Sequence, residues 1–203
     1  EATLGAKGDA RYDPSTGTYI VLGSGHDIWD AQDDFHFLYV AATGDCSIKA
    51  NVKLDAGSSS STWAKAGLML RDDVTADSPH AFSMIRLTGR DFAPQWRDGW
   101  GAGGNWEGDA ALVYGGTGAG QQSGTVGLEY TAADNMVKFT YWDAVTNEKV
   151  VWRQMDSIDF AEVNYLGLCV TSHEAGSISK GTFTSLSMTY NGKTVGIDEW
   201  SLY

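Results

Sequence analysis

The sequence predicts an all-β protein built as an antiparallel two-sheet sandwich, on three observations. Polar and apolar residues alternate along several short segments, most cleanly over Cys46–Leu54, as a half-buried strand requires. Turn signals separate these segments at short intervals, as they do in sandwiches. Segments of helical period are essentially missing; Ser157–Val163 is expected to form at most one helical turn.

Residues 1–18 lack clear periodicity, and Asp13-Pro14-Ser15-Thr16-Gly17 reads as a turn. TYIVLGSG (Thr18–Gly25) is a short strand running into a glycine turn. The acidic loop HDIWDAQDD leads into FHFLYVAA, a strand rich in aromatics. After Cys46–Leu54 the serine run Ser58–Ser61 connects to WAKAGLMLR, and HAFSMIRL and FAPQWRD follow. Gly99–Gly120 is a glycine-dense loop. TVGLEY, MVKFTYWDA and KVVWRQM resume the strands, with turns at Asp134-Asn135 and Thr146-Asn147. YLGLCVTSH and TFTSLSMTY come next, and Asn191-Gly192-Lys193 turns the chain into VGIDEWSLY.

A chain of 203 residues with 42% hydrophobic and 20% charged residues suits one folded domain over 1–203 and argues against disorder. Its 14 basic residues against 26 acidic ones give a net charge of -12, which repels phosphate backbones and anionic lipid surfaces. Nucleic-acid partners are therefore not expected, nor is membrane insertion, since no apolar run approaches the ~20 residues of a spanning helix. The chain opens at Glu1, which points to a processed, secreted or cell-surface polypeptide. Two cysteines allow one bridge at most. Cys46 points to the core, whereas Cys169 lies opposite Leu166, Leu168 and Val170, so a disulfide is not favoured.

Six segments, GSGHDIWDAQDDFHFLY, TGDCSIKANV, WAKAGLMLRDD, DSPHAFSMI, QWRD and LGLCVTSH, occur in that order. Together they resemble the concanavalin A-like (laminin-G-like) jelly-roll domains appended to secreted glycoside hydrolases and cell-surface proteins. The resemblance runs from about Tyr19 to Tyr190. It implies a two-sheet antiparallel jelly roll acting as an accessory or carbohydrate-associated module. The chain departs from that pattern with VGLEY near Gly127–Tyr130, with cysteine at 46 and 169, and with its long aromatic loop at Gly99–Gly120.

The candidate ligand-binding residues follow from strand parity. Arg71 shares a face with Gly67 and Met69, Arg97 with Gln95, and His173 with Thr171, while His80 lies between the two arginines in sequence. If these strands are neighbours, the guanidiniums, an amide and an imidazole gather on one concave face, suited to carboxylate, sulfate or vicinal hydroxyls. The alternative is that internal carboxylates occupy the arginines. Trp100 and Trp106 stand in the glycine loop as sugar-stacking or protein-docking groups. The other tryptophans, Trp63 and Trp200 among them, are expected to pack in the core or sheets. Asp27 and Asp33, which match the family pattern, are the candidates for a structural calcium ion.

No nucleophile elbow, P-loop or dinucleotide motif is present, and the paired carboxylates of glycosidases are missing. No catalytic residue is assigned. The favoured partner is a glycan or polysaccharide. Two alternatives stay open: a structural or adhesive subunit docking other protein chains, and a lyase or hydrolase acting on acidic glycans through an Arg/Gln/His set.

Overall fold

The structure, a computed structural model, describes residues 8–87, 92–107, 121–194 and 201–202. Among these are seventeen strands, paired antiparallel throughout, and one 3-10 turn at Ala132–Asp134. One sheet has eight strands. Its order is β1 (Gly8–Asp13), β2 (Thr18–Gly23), β15 (Ser179–Tyr190), β6 (Cys46–Asp55), β11 (Gln121–Thr131), β12 (Met136–Trp142) and β13 (Lys149–Met155), with β16 (Lys193–Thr194) paired to β15. The other has seven: β10 (Asn105–Trp106), β9 (Gln95–Arg97), β8 (His80–Arg86), β7 (Lys65–Arg71), β14 (Val163–Thr171), β5 (His36–Thr43) and β17 (Ser201–Leu202). A two-stranded hairpin, β3 (Ile28–Trp29) and β4 (Gln32–Asp33), stands apart from both.

The main core lies between the two large sheets. From β6 come Cys46, Ile48, Ala50, Val52 and Leu54, and they meet Ala66, Leu68 and Leu70 of β7 and Leu166, Leu168 and Val170 of β14 in one apolar cluster. The intervening β6 residues Ser47, Lys49, Asn51 and Lys53 are partly or fully exposed, so this strand has one wet face. Strands β7 and β8 differ, because every residue in both is buried. Their outer face is covered by a second cluster that includes Phe35, Phe37, Met69, Phe82, Met84 and Cys169. Gly67 makes room for this layer: a Cβ there would stand 2.9 Å from the Phe82 ring and 2.3 Å from the Ser83 carbonyl.

The cysteines sit in different layers, Cys46 between the sheets and Cys169 in the outer cluster, and both are free thiols. Burial pushes the Cys46 thiol up to about 12 and Cys169 well above its ordinary value. Both therefore stay protonated and inert as nucleophiles.

Three local expectations need correction. Strand β1 forms where no periodicity was apparent; it is an edge strand, half exposed, that pairs with β2 from Gly8↔Gly23 to Asp13↔Thr18. Segment 157–162 forms no helical turn, and Val163 opens β14. Trp63 is 44% exposed rather than packed in a core. Of the expected closing strand only Ser201–Leu202 falls within the described residues; Trp200 and loop residues 108–120 lie outside them.

Candidate functional site

Register brings Arg71, His80 and Arg97 side by side across β7, β8 and β9, on the outer face of the seven-stranded sheet. That much agrees with strand parity, but none of the three reaches an open surface. Both arginines have no exposed surface at all, and His80 has 1%. Asp33, at the end of β4, lies over them. Its Oδ1 accepts from Arg97 Nη2 at 2.6 Å, and its Oδ2 accepts from Arg71 Nη1 at 2.6 Å and Arg97 Nη1 at 2.8 Å. Backbone carbonyls take the remaining donors, those of Asp73 and Thr75 for Arg71 and those of Asp30, Ser78 and Ala102 for Arg97. The expectation that Arg71, His80 and Arg97 contact a ligand is therefore corrected: these groups are consumed in fastening three loops to the sheet.

Burial by itself would raise the Asp33 carboxyl, but His80, Arg71 and Arg97 outweigh it and hold the group below its ordinary value. His80, with Nδ1 3.4 Å from Asp33 Oδ2, is pushed down to about 3 by burial, and the two arginines act in the same direction against the pull of Asp33. It is a neutral imidazole at neutral pH.

The calcium expectation on Asp27 and Asp33 meets the same obstacle. Calcium needs six to eight oxygens, whereas Asp33 faces two guanidiniums and Asp27 faces Lys65 and His173. Among the described residues no group of three or more His, Cys, Asp or Glu side chains could hold a metal ion. These two carboxylates do not fit a calcium site.

The open part of the same face is a cavity of about 320 Å³. Lys65 and Arg86, register partners on β7 and β8, form part of its wall with Gln95 of β9 and Trp106 of β10. Trp63, Asp27, Trp29 and His173 complete it. Trp63 and Trp106 are 44% and 47% exposed. The Arg86 guanidinium makes a cation–π contact with each, 5.3 Å from the Trp63 ring and 4.7 Å from the Trp106 ring.

Asp27 links the polar members. It ion-pairs with Lys65, accepts from the Ile28 backbone N–H at 2.7 Å, and lies 3.1 Å from His173 Nε2. His173 Nδ1 is in turn 3.1 Å from Ser61 Oγ, and the His173 backbone has φ 55, a left-handed conformation unusual for a residue other than glycine and frequent at functional sites. Burial lowers the Lys65 ammonium from its ordinary value, although the Asp27 carboxylate pulls the other way. Gln95 is 5% exposed, and its Oε1 has no hydrogen-bond partner. A buried amide oxygen left without a donor is costly, and this one belongs to a residue of the cavity wall.

Of the candidate residues, then, Gln95, Trp106 and His173 come together, with Asp27 in an unforeseen role. Trp100 is 49% exposed but does not line the cavity. Sequence reasoning missed Lys65, Arg86, Trp29 and Trp63. The parity that selected Arg71 also passes through Lys65, and that of His80 passes through Arg86, so these two were within its reach. A second cavity, of about 410 Å³, is lined by residues including Tyr130, Asn135, Phe160 and Glu162.

No family model and no curated protein matches this sequence. Solved structures do. A functionally unknown protein from Saccharomyces cerevisiae is 17% identical with a TM-score of 0.66, over 97% of this chain and 100% of that one. Family 7 alginate lyase A1-II', in complex with product, is 12% identical with a TM-score of 0.52, over 90% and 83%. Lectin I-B4 from Griffonia simplicifolia, in metal-free form, is 9% identical with a TM-score of 0.50, over 92% and 92%. The fold is the concanavalin A-like jelly roll. At these identities the jelly-roll likeness carries the architecture alone.

Proposed function

We propose that this protein is a glycan-binding module whose ligand occupies the cavity walled by Trp29, Trp63 and Trp106. The observation that carries this reading is the orphaned Gln95 Oε1, a buried acceptor in a wall shared with exposed indole rings. A sugar offers what both lack: hydroxyl donors for the amide, and C–H faces for the rings. A lectin and a polysaccharide lyase among proteins of the same fold support the reading. A secreted or cell-surface setting, as an accessory module, accords with it. Glycan-array and affinity-gel binding are the direct tests. Trp63→Ala and Trp106→Ala are each expected to weaken binding about tenfold, or ~1.4 kcal/mol of lost stacking; affinity unchanged in both variants, or no glycan bound at all, contradicts the proposal.

A second reading, a lyase acting on acidic polysaccharides, draws on the convergence of Arg86, Gln95 and His173 in one cavity. His173, linked to Asp27, would act as a base beside groups that neutralise a sugar carboxylate. Incubation with uronate polymers, followed by absorbance of unsaturated products, decides it. Product that disappears in His173→Ala supports the lyase, and absence of product removes it.

A further inference from the structure

We propose that Ser61 is a nucleophile for small carboxylic esters carried on a sugar ring, with His173 as its base and Asp27 orienting that base. The substrate class rests on the glycan-binding reading; the nucleophile itself does not. Ser61 Oγ lies 3.1 Å from His173 Nδ1, and His173 Nε2 lies 3.1 Å from Asp27 Oδ2. A carboxylate only accepts, so Nε2 carries the hydrogen, and in the neutral ring Nδ1 is a bare acceptor facing the hydroxyl. Lys65 and the Ile28 N–H take the other oxygen, Oδ1, which leaves Oδ2 to the imidazole. Serine, histidine and aspartate in this relation form the constellation of serine hydrolases, which is recognised by geometry and roles and not by sequence order. The two ring nitrogens are exchanged relative to the serine-protease arrangement. Ser61 stands on the connection between β6 and β7, outside any strand-to-helix elbow, so a search for that motif passes over it.

Fastening two loops together does not account for the Ser61–His173 contact. Ser59 Oγ already donates to the Ser172 carbonyl at 2.8 Å, and the Ser60 N–H donates to Glu174 Oε2 at 2.8 Å. The serine loop is thus held to residues 172–174 without Ser61. What the further contact adds is aim: the Trp63 N–H donates to Ser61 Oγ at 3.2 Å, which leaves the hydroxyl hydrogen to point at His173. Ser61 is half-buried, and the His173 side chain is 28% exposed in the cavity wall beside Asp27. The Trp63 ring lies 6.5 Å from the imidazole, so a sugar stacked on Trp63 presents its substituents beside Ser61. At about 320 Å³ the cavity is at the lower end of ligand pockets, which calls for a short ester. Ser61 Oγ bonds to the ester carbonyl carbon while its proton passes to His173 Nδ1. The C–O bond to the alcohol then breaks, and His173 gives that proton to the leaving oxygen. Water adds to the acyl group and yields a proton to His173, the bond to Oγ breaks, and Ser61 takes the proton back. The products are an alcohol and a carboxylic acid, with no change of oxidation state.

Acetate release from an acetylated oligosaccharide and methanol release from a methyl-esterified oligouronate, each incubated with the full wild-type chain, test this. One of the two is expected to be hydrolysed, which tells whether the sugar supplies the alcohol or the acid of the ester. Ser61→Ala and His173→Ala, with folding checked by melting curves, are expected to lower that rate by about 100-fold or more. A fluorophosphonate probe, followed by peptide mass spectrometry, is expected to modify Ser61 and to leave Ser58, Ser59 and Ser60 untouched. Turnover that persists in Ser61→Ala, or a wild-type Ser61 that the probe leaves unmodified, overturns the inference; glycan binding on the array still stands by itself. Ser61 modified while neither ester is cleaved overturns the sugar-ester assignment, and an array without binding then removes the glycan reading as well. The wild-type labelling decides the nucleophile even if a variant does not fold.

Discussion

Asp33→Ala is expected to lower the unfolding free energy by about 3–5 kcal/mol, the usual consequence of removing one partner from a buried ion pair. The carboxylate has no exposed surface and binds both Arg71 and Arg97 within 2.8 Å. Alanine would leave two guanidiniums buried with only carbonyl dipoles for company. Asp33→Asn keeps the shape and one acceptor but removes the charge, so it too should destabilise, by less. Urea unfolding at pH 7.5 measures this as a fall in midpoint at constant slope. A midpoint within experimental scatter of wild type in Asp33→Ala would show that the pair does not hold the loops down.

Stability should also decline with acid well before carboxylates titrate. Burial holds His80 at about 3 in the folded protein, against an ordinary value of 6.5. The unfolded chain therefore takes up a proton below pH 6.5 that the folded chain refuses until about pH 3. The stabilisation is complete above pH 6.5 and decays as pH falls, at up to about 1.4 kcal/mol per pH unit and on the order of 5 kcal/mol in all. Asp33, held below 3.8, adds its own loss only at lower pH. His36 is also lowered by burial and contributes a slope of the same sign, so the diagnostic quantity is the difference between wild type and His80→Phe. Urea melts between pH 7.5 and 4.5 should show a flatter decline in the variant. Parallel curves would mean that His80 is not the buried neutral group.

Much of the fold was legible because burial imposes a period of two on a half-wet strand. The alternation of Cys46–Leu54 reappears as β6, and the turns at Asp134-Asn135 and Thr146-Asn147 separate β11, β12 and β13. Strand β1 escaped because an edge strand with a mostly exposed face needs no apolar alternation. The site was legible only in part. Parity correctly placed Arg71, Gln95 and Arg97 on the outer face of one sheet, but it could not divide that face into a covered half and an open half. The division depends on where the hairpin of β3 and β4 folds back, which sets Asp33 over the arginines and Asp27 beside Lys65. The arginines with the most conspicuous sequence positions thus became internal fasteners, and the less conspicuous Arg86 faces the cavity.

The central claim is that this cavity, and not another surface, takes a sugar. It is tested most directly by nuclear magnetic resonance titration of the full chain with an oligosaccharide identified on the glycan array. The expected result is that the largest shifts fall on the Gln95 side-chain amide and the Trp63 and Trp106 indole N–H signals. Shifts centred instead on Tyr130, Asn135 and Phe160 at the second cavity, or no saturable shifts at any concentration, would contradict it.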